Sequence, residues 1–159
     1  TCILGAKMYP GYEQYWTAVH NAPREPLPFS GKAATQGEVD YAAFAMQTPH
    51  VVVSTQMHAA AWGHTRIARN VDEIGALEQQ PGKDMHAVGG ADLVCSLINA
   101  GLVDELRLVV VPVLLGAGKP LFRGLLARHV LHLVSATTLP RGHTKLIYTL
   151  STAKSPVAA

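Results

Sequence analysis

From His86 to Phe122 the chain reads HAVGGADLVCSLINAGLVDELRLVVVPVLLGAGKPLF. A short apolar strand runs into a glycine pair, a helix begins directly after it, and a Val-rich strand follows and ends in a glycine-rich turn. A helix between two strands is the connection a parallel sheet requires, because parallel neighbours need a long crossover. The same junction has a chemical use. Backbone amides at a helix start, with no Cβ in the way, hold an anion such as a phosphate. Gly89-Gly90 is not a full GxGxxG or Walker fingerprint, so on spacing alone the pair admits two readings, a phosphate cradle and a plain tight turn.

The rest of the chain keeps the alternation. Thr1 to Leu4 reads as a buried strand ending at Gly5, and Tyr9, Tyr12, Tyr15, Trp16 and Val19 recur at helical spacing with Pro10 in the first turn. His20 to Gly37 carries Pro23, Pro26 and Pro28 and no period, which predicts a long loop, functional or mobile. Val39 to Met46 predicts a short amphipathic helix ended by Thr48-Pro49, and His50 to Ser54 a second buried strand. Thr65 to Ala68 reads as a third strand, and Asn70 caps a helix with Asp72 and Glu73 in its first turn, stopped by Pro81-Gly82. Met85 to Val88 is then a strand, Ala91 to Ala100 a helix closed by Gly101, and Leu106 to Leu115 a strand bulged at Pro112. Leu131 to Ala136 and Lys145 to Leu150 make a closing pair of strands, and 151–159 a frayed tail. The pattern predicts one α/β domain over 1–150, three layers deep, with a mainly parallel central sheet and antiparallel edge strands at its C-terminal end.

Composition narrows the function classes. The 159 residues suffice for one domain with a real core, and 48% apolar against 15% charged residues is a globular balance. The net charge is only +2 and the Lys and Arg residues are scattered, which argues against a nucleic-acid-binding face. The longest apolar run, Leu108 to Leu115, is broken by Pro112 and too short to cross a bilayer. Cys2 and Cys95 lie far apart, no signal peptide is visible, and a reduced, cytoplasmic protein is expected. The chain opens without Met, already inside a strand. None of its eight histidines has zinc-ligand spacing, so no metal site is expected. His58 and His64, flanking Trp62-Gly63, are the histidines best placed for a substrate contact.

The segment GGADLVCSLINAGLVDELRLVVVPVLLGAGKPLF closely resembles the dihydrofolate reductase-like family, nearest the reductase domain of the bifunctional riboflavin-biosynthesis deaminase-reductase and its stand-alone bacterial relatives. LGAKMYPGYEQYW resembles the family's strand-helix junction, and VVVST and the closing strands also match, whereas the proline-rich loop and Met57 to Arg69 match only in position. The resemblance implies the dihydrofolate reductase-like fold, NADPH bound along the carboxyl ends of the sheet, hydride delivery to a heterocycle or ribosylamino-pyrimidine, and a homodimer. The apolar strand Leu106 to Leu115 and the closing strands also favour a homodimer, since they offer more hydrophobic edge than a small monomer exposes. Dihydrofolate reduction itself, and a nucleotide-binding dimer that has lost catalysis, are the alternatives.

By the same resemblance, Gly89, Gly90 and Ala91 would cradle the pyrophosphate, with Val88, Asp92 and Leu93 around them and Asp92 turned to solvent. Gly5, Ala6, Lys7 and Met8 would form a second phosphate-contacting turn, although the family usually has Arg and then Thr where this chain has Lys7 and Met8. Ser54 and Thr55, followed by Gln56, would approach the adenosine 2′-phosphate, with Arg66 and Arg69 either supplying charge or lying as ordinary surface arginines. Tyr9 and Tyr12 either pack in the core or line a nicotinamide pocket, and Leu115 and Gly116 would help shape the active-site rim. The family's substrate-binding acid falls on a strand that would precede Thr1, so no residue here takes a catalytic role by motif.

Overall fold

Four short strands, β1 (Cys2–Gly5), β2 (His50–Val53), β3 (Thr65–Ala68) and β4 (His86–Gly89), form a parallel sheet in the order β3-β2-β1-β4. The structure, a computed structural model, describes residues 1–150; the tail expected at 151–159 lies outside the described residues. Cys2, Ile3, Leu4, Val51 and Val52 are all buried, so β1 and β2 are covered on both faces, as their unbroken apolar runs require. Between the strands run α1 (Tyr9–Asn21), α2 (Gln36–Gln47) and α3 (Asp72–Glu78), and α4 (Ala91–Asn99) follows β4. The chain divides into two compact units, Thr1–Leu93 and Val94 onward.

In the first unit α1 forms where the Tyr9, Tyr12 and Val19 spacing places it, with Pro10 in the first turn where its missing N–H costs no hydrogen bond. One core cluster gathers Cys2, Leu4, Tyr12, Ala45 and Trp62, and a second gathers Val19, Leu27 and Ala42. The loop predicted over His20 to Gly37 is shorter, because α1 runs on to Asn21 and α2 begins at Gln36. It is also a folded loop rather than a loose one. Leu27 is buried, its N–H donates to Lys32 O (2.9 Å), Gly31 N–H donates to Leu27 O (3.0 Å), and Ala34 N–H donates to Pro23 O (3.0 Å).

In the second unit β5 (Glu105–Val110), β6 (Leu131–Thr138) and β7 (Thr144–Leu150) form an antiparallel sheet in the order β5-β7-β6. The antiparallel strands expected as edge strands of the parallel sheet thus pair with one another in a sheet of their own. β5 stops at Val110, short of the predicted Leu115. Pro112 has no N–H for a ladder, and Val113 N–H turns back to Val111 O at 2.8 Å, so the proline ends the strand rather than bulging it. Gly101 closes α4 as expected: its φ is +70°, its N–H donates to Ile98 O, and Leu102 N–H donates to Leu97 O.

Candidate cofactor site

In the order β3-β2-β1-β4 the chain winds outward from β1 in one direction to β2 and β3 and in the other to β4. A reversal of this kind opens a crevice beyond the carboxyl ends of the strands on either side of it, where open parallel sheets bind their ligands. The two strands that flank it, β1 and β4, end in Gly5 and Gly89. They lie close: a Cβ built on Gly5 would stand 3.9 Å from Gly89 O and 3.7 Å from Leu93 Cβ. The β1–β4 register slips between Ile3 and Leu4, so that Leu4 pairs with Gly89 and Val88 is bulged out. Gly89 and Gly90 have φ of +130° and +87°, values that L side chains rarely adopt, which is why glycine stands at both positions. α4 begins at Ala91, and the amides of its first turn have no intrahelical acceptor. Half-buried Val88 and Ala91, exposed Asp92 and buried Leu93 surround this turn, so Asp92 sits at the surface as expected.

On the β1 side the chain turns through Ala6, exposed Lys7 and half-buried Met8, and Met8 N–H closes the turn on Gly5 O at 3.0 Å. Tyr9 and Tyr12 follow on α1 as core residues. Tyr9 is buried, its hydroxyl accepts Trp62 N–H (3.1 Å) and donates to Thr65 Oγ1 (3.4 Å). Tyr12 is buried among Trp16, Tyr41, His50 and Trp62. Burial, and then the hydrogen bond shared with Tyr41, hold its hydroxyl well above the usual phenol range. Of the two sequence readings for these tyrosines, packing is the one their surroundings match.

Beyond β2 the turn at Ser54 is built by hydrogen bonds. Ser54 is buried and its Oγ accepts the amides of Gln56 (3.2 Å) and Met57 (2.9 Å), while Thr55 stands exposed. Arg69, directly after β3, fastens the turn from outside: Nη1 donates to Ser54 O (3.1 Å) and Met57 O (2.7 Å). Its own amide donates to Glu73 Oε1 (2.8 Å), and Asn70 Oδ1 accepts Glu73 N–H (3.2 Å). Arg69 is therefore tied to the Ser54–Met57 turn, a role that the sequence, placing it a dozen residues away, does not reveal. Arg66 lies within β3 and lines a shallow hollow with Glu73, Ala76, Leu77 and Gln80.

The opposite end of the sheet is polar in an unexpected way. Cys2, His50, His86 and Thr65 stand side by side in the register of the four strands, at their amino ends. Cys2 Sγ lies 3.4 Å from His86 Nε2, and burial pushes the thiol up from its ordinary value. His64 stacks on Trp62 beside buried His50, whereas His58 is exposed. Among the described residues no group of three or more His, Cys, Asp or Glu is placed to hold a metal ion, and no helix is long and apolar enough to cross a membrane. Leu115 and Gly116 belong to the second unit, in an exposed turn where Gly116 has φ +66° and Ala117 N–H donates to Leu115 O at 2.7 Å.

Residues 29–145 match the RibD C-terminal domain family. The chain belongs to this family. Two uncharacterized proteins of Bacillus subtilis (strain 168) are similar to it: YyaP, 44% identical over 78 residues, which is 49% of this chain and 42% of YyaP, and YwjB, 41% identical over 49 residues, 31% of this chain and 28% of YwjB. The matched segments span less than half the length of either relative. Among solved structures, a Shewanella sp. PV-4 protein assigned to riboflavin biosynthesis superposes with a TM-score of 0.65 at 17% identity, covering 94% of this chain and 72% of that one. A pyrimidine reductase-like protein of Corynebacterium diphtheriae superposes with a TM-score of 0.57 at 12% identity, covering 94% of this chain and 75% of that one. These two likenesses establish the reductase-like fold. The crevice suits a dinucleotide on its own chemistry: glycine backbone without Cβ, the start of a helix, and a lysine in the adjoining turn.

Proposed function

We propose that this RibD C-terminal domain is an NADPH-dependent reductase of the pyrimidine-reductase type, passing hydride to a heterocycle or ribosylamino-pyrimidine in the cytoplasm and acting as a homodimer. The observation that carries the reading is the β1/β4 crevice, where the reversal of strand order, two strand-end glycines and a helix start coincide. NADPH, when bound, supplies the hydride; the chain supplies binding, orientation and electrostatics. The backbone of Gly89, Gly90 and Ala91 would hold the pyrophosphate, and Lys7 would pair with it as a point charge. Thr55 after β2 and the Arg69 guanidinium after β3 lie along the same edge of the sheet and would hold a second phosphate there. Arg69 has a fixed place there because its Nη1 is bound to the turn. That placement favours the 2′-phosphate of NADPH over the bare hydroxyl of NADH.

Titration of the full chain with NADPH and NADH, followed by quenching of the tryptophans, tests the reading. Saturable binding with NADPH preferred over NADH is expected, and oxidation of NADPH in the presence of a ribosylamino-pyrimidine but not dihydrofolate separates the reading from dihydrofolate reduction. Binding of neither nicotinamide cofactor would overturn it.

A further inference from the structure

The two glycines of the crevice are not equally open. A Cβ built on Gly90 meets nothing within 4 Å. A Cβ built on Gly89 would stand 3.4 Å from Met8 Sδ and 3.8 Å from Met8 Cε. Absence of a side chain at a phosphate turn normally lets a ligand approach the backbone closely. At Gly89 that room ends at van der Waals contact with a side chain of the same chain, so nothing larger than a methyl group fits beside Gly89 while Met8 stays in place.

Met8 comes to lie there because of where it stands. It is the N-cap residue of α1, the position at which Ser, Thr, Asp or Asn would turn an oxygen onto the first helical amides, and α1 has no side-chain cap. A thioether has no donor and only a weak acceptor. Its side chain instead packs toward the cluster of Cys2, Leu4, Tyr12, Ala45 and Trp62. An anion brought against that sulfur and methyl loses water and gains no hydrogen bond. Methionine is unbranched and readily repacked, so the cover is movable.

We infer that Met8 decides which ligands the crevice admits: its thioether covers Gly89, leaves Gly90 open, and must swing aside before a diphosphate spans both glycines. The inference rests on the reading of this crevice as the diphosphate site of a nicotinamide cofactor. Met8 accordingly weakens diphosphate binding, and a smaller or hydroxyl-bearing residue strengthens it.

The test compares the full-length wild type with Met8→Ala, Met8→Thr and Met8→Leu. Each is titrated with inorganic pyrophosphate, read at the Gly89 and Gly90 amide resonances, and with NADPH and NADH, read by tryptophan fluorescence. Met8→Ala and Met8→Thr are expected to bind pyrophosphate and NADPH about tenfold tighter, while Met8→Leu, still apolar and of similar size, binds as the wild type does. The gain in Met8→Ala, which adds no capping oxygen, attributes the effect to the cover rather than to the cap. Should the alanine variant not fold, the contrast between Thr and Leu decides. Equal pyrophosphate affinity across the variants overturns the inference, even where NADPH binds all of them and the cofactor reading stands. Tighter pyrophosphate binding by Met8→Ala with no binding of either cofactor supports the cover and overturns the cofactor reading.

Discussion

His50 is a titratable side chain held inside a parallel sheet. It opens β2, is 1% exposed, and lies against the rings of Tyr12, Trp62 and His64 at 5.6, 5.1 and 5.4 Å, with Nε2 3.3 Å from the Tyr12 hydroxyl. Burial first, and then the neighbouring His64, pull its pKa from 6.5 down to about 4. In the folded chain His50 thus stays neutral where the unfolded chain would already take up a proton. The stability it contributes is whole above pH 6.5 and is lost as the pH falls from 6.5 towards 4, by up to roughly 3 kcal/mol. Urea midpoints across that window are expected to fall for the wild type and to fall less for His50→Phe; parallel pH profiles for the two proteins would contradict this. The sequence places His50 at the start of a buried strand but does not say what surrounds its ring. Its burial depends on Tyr12 and Trp62, both distant in sequence, and no local pattern announces them. The same holds for Met8: its departure from the family pattern is visible in the sequence, whereas its contact with Gly89 is a property of the β1–β4 pairing alone.

At the scale of elements, α2 shows what local chemistry specifies. Its predicted start at Val39 follows the apolar period, but the helix begins at Gln36 because Thr35 and Glu38 form a reciprocal capping box. Thr35 Oγ1 accepts Glu38 N–H at 3.3 Å, and Glu38 Oε2 accepts Thr35 N–H at 2.7 Å. The other carboxylate oxygen accepts the Tyr15 hydroxyl at 2.6 Å, which ties the start of α2 to α1. That bond, and then those to Thr35, hold the Glu38 carboxyl at about 2, while the same bond raises the Tyr15 hydroxyl to about 12. Replacing Thr35 by Ala is expected to cost about 1 kcal/mol in denaturant unfolding, as the loss of a helix cap does; an unchanged midpoint would show that the box adds nothing. The signal T-x-x-E was present in the sequence, so this boundary was readable. The end of β5 was readable too, since Pro112 forbids the ladder, but the apolar run beyond it reads equally well as a bulged strand until the Val113–Val111 turn is seen.

For the whole molecule, the alternation of apolar strands with helices was enough to specify an α/β chain, because parallel neighbours need long crossovers such as the one that carries α1 and α2 between β1 and β2. Sheet membership of the last strands was not specified. Antiparallel strands joined by turns look alike in sequence whether they extend an existing sheet or build another, and only the β5-β7-β6 pairing decides it. That sheet leaves much apolar surface uncovered within the chain: Val109 and Val110 on β5, Leu131, Leu133 and Val134 on β6, and fully exposed Leu114 in the turn after Pro112. Scattered exposed apolar residues need no explanation, but their concentration on the two outer strands of one sheet, either side of β7, is what a partner-covered surface offers. A second copy supplies such a partner by symmetry, each apolar patch covering its equivalent. Light scattering at micromolar concentration is therefore expected to give twice the chain mass of 17.0 kDa. Leu133→Lys, which places a charge in the middle of the patch while leaving the β6–β7 ladder intact, is expected to shift that mass to the monomer without lowering the cooperativity of unfolding. A monomeric wild type at the same concentration would leave the patch without its second copy and would overturn the homodimer.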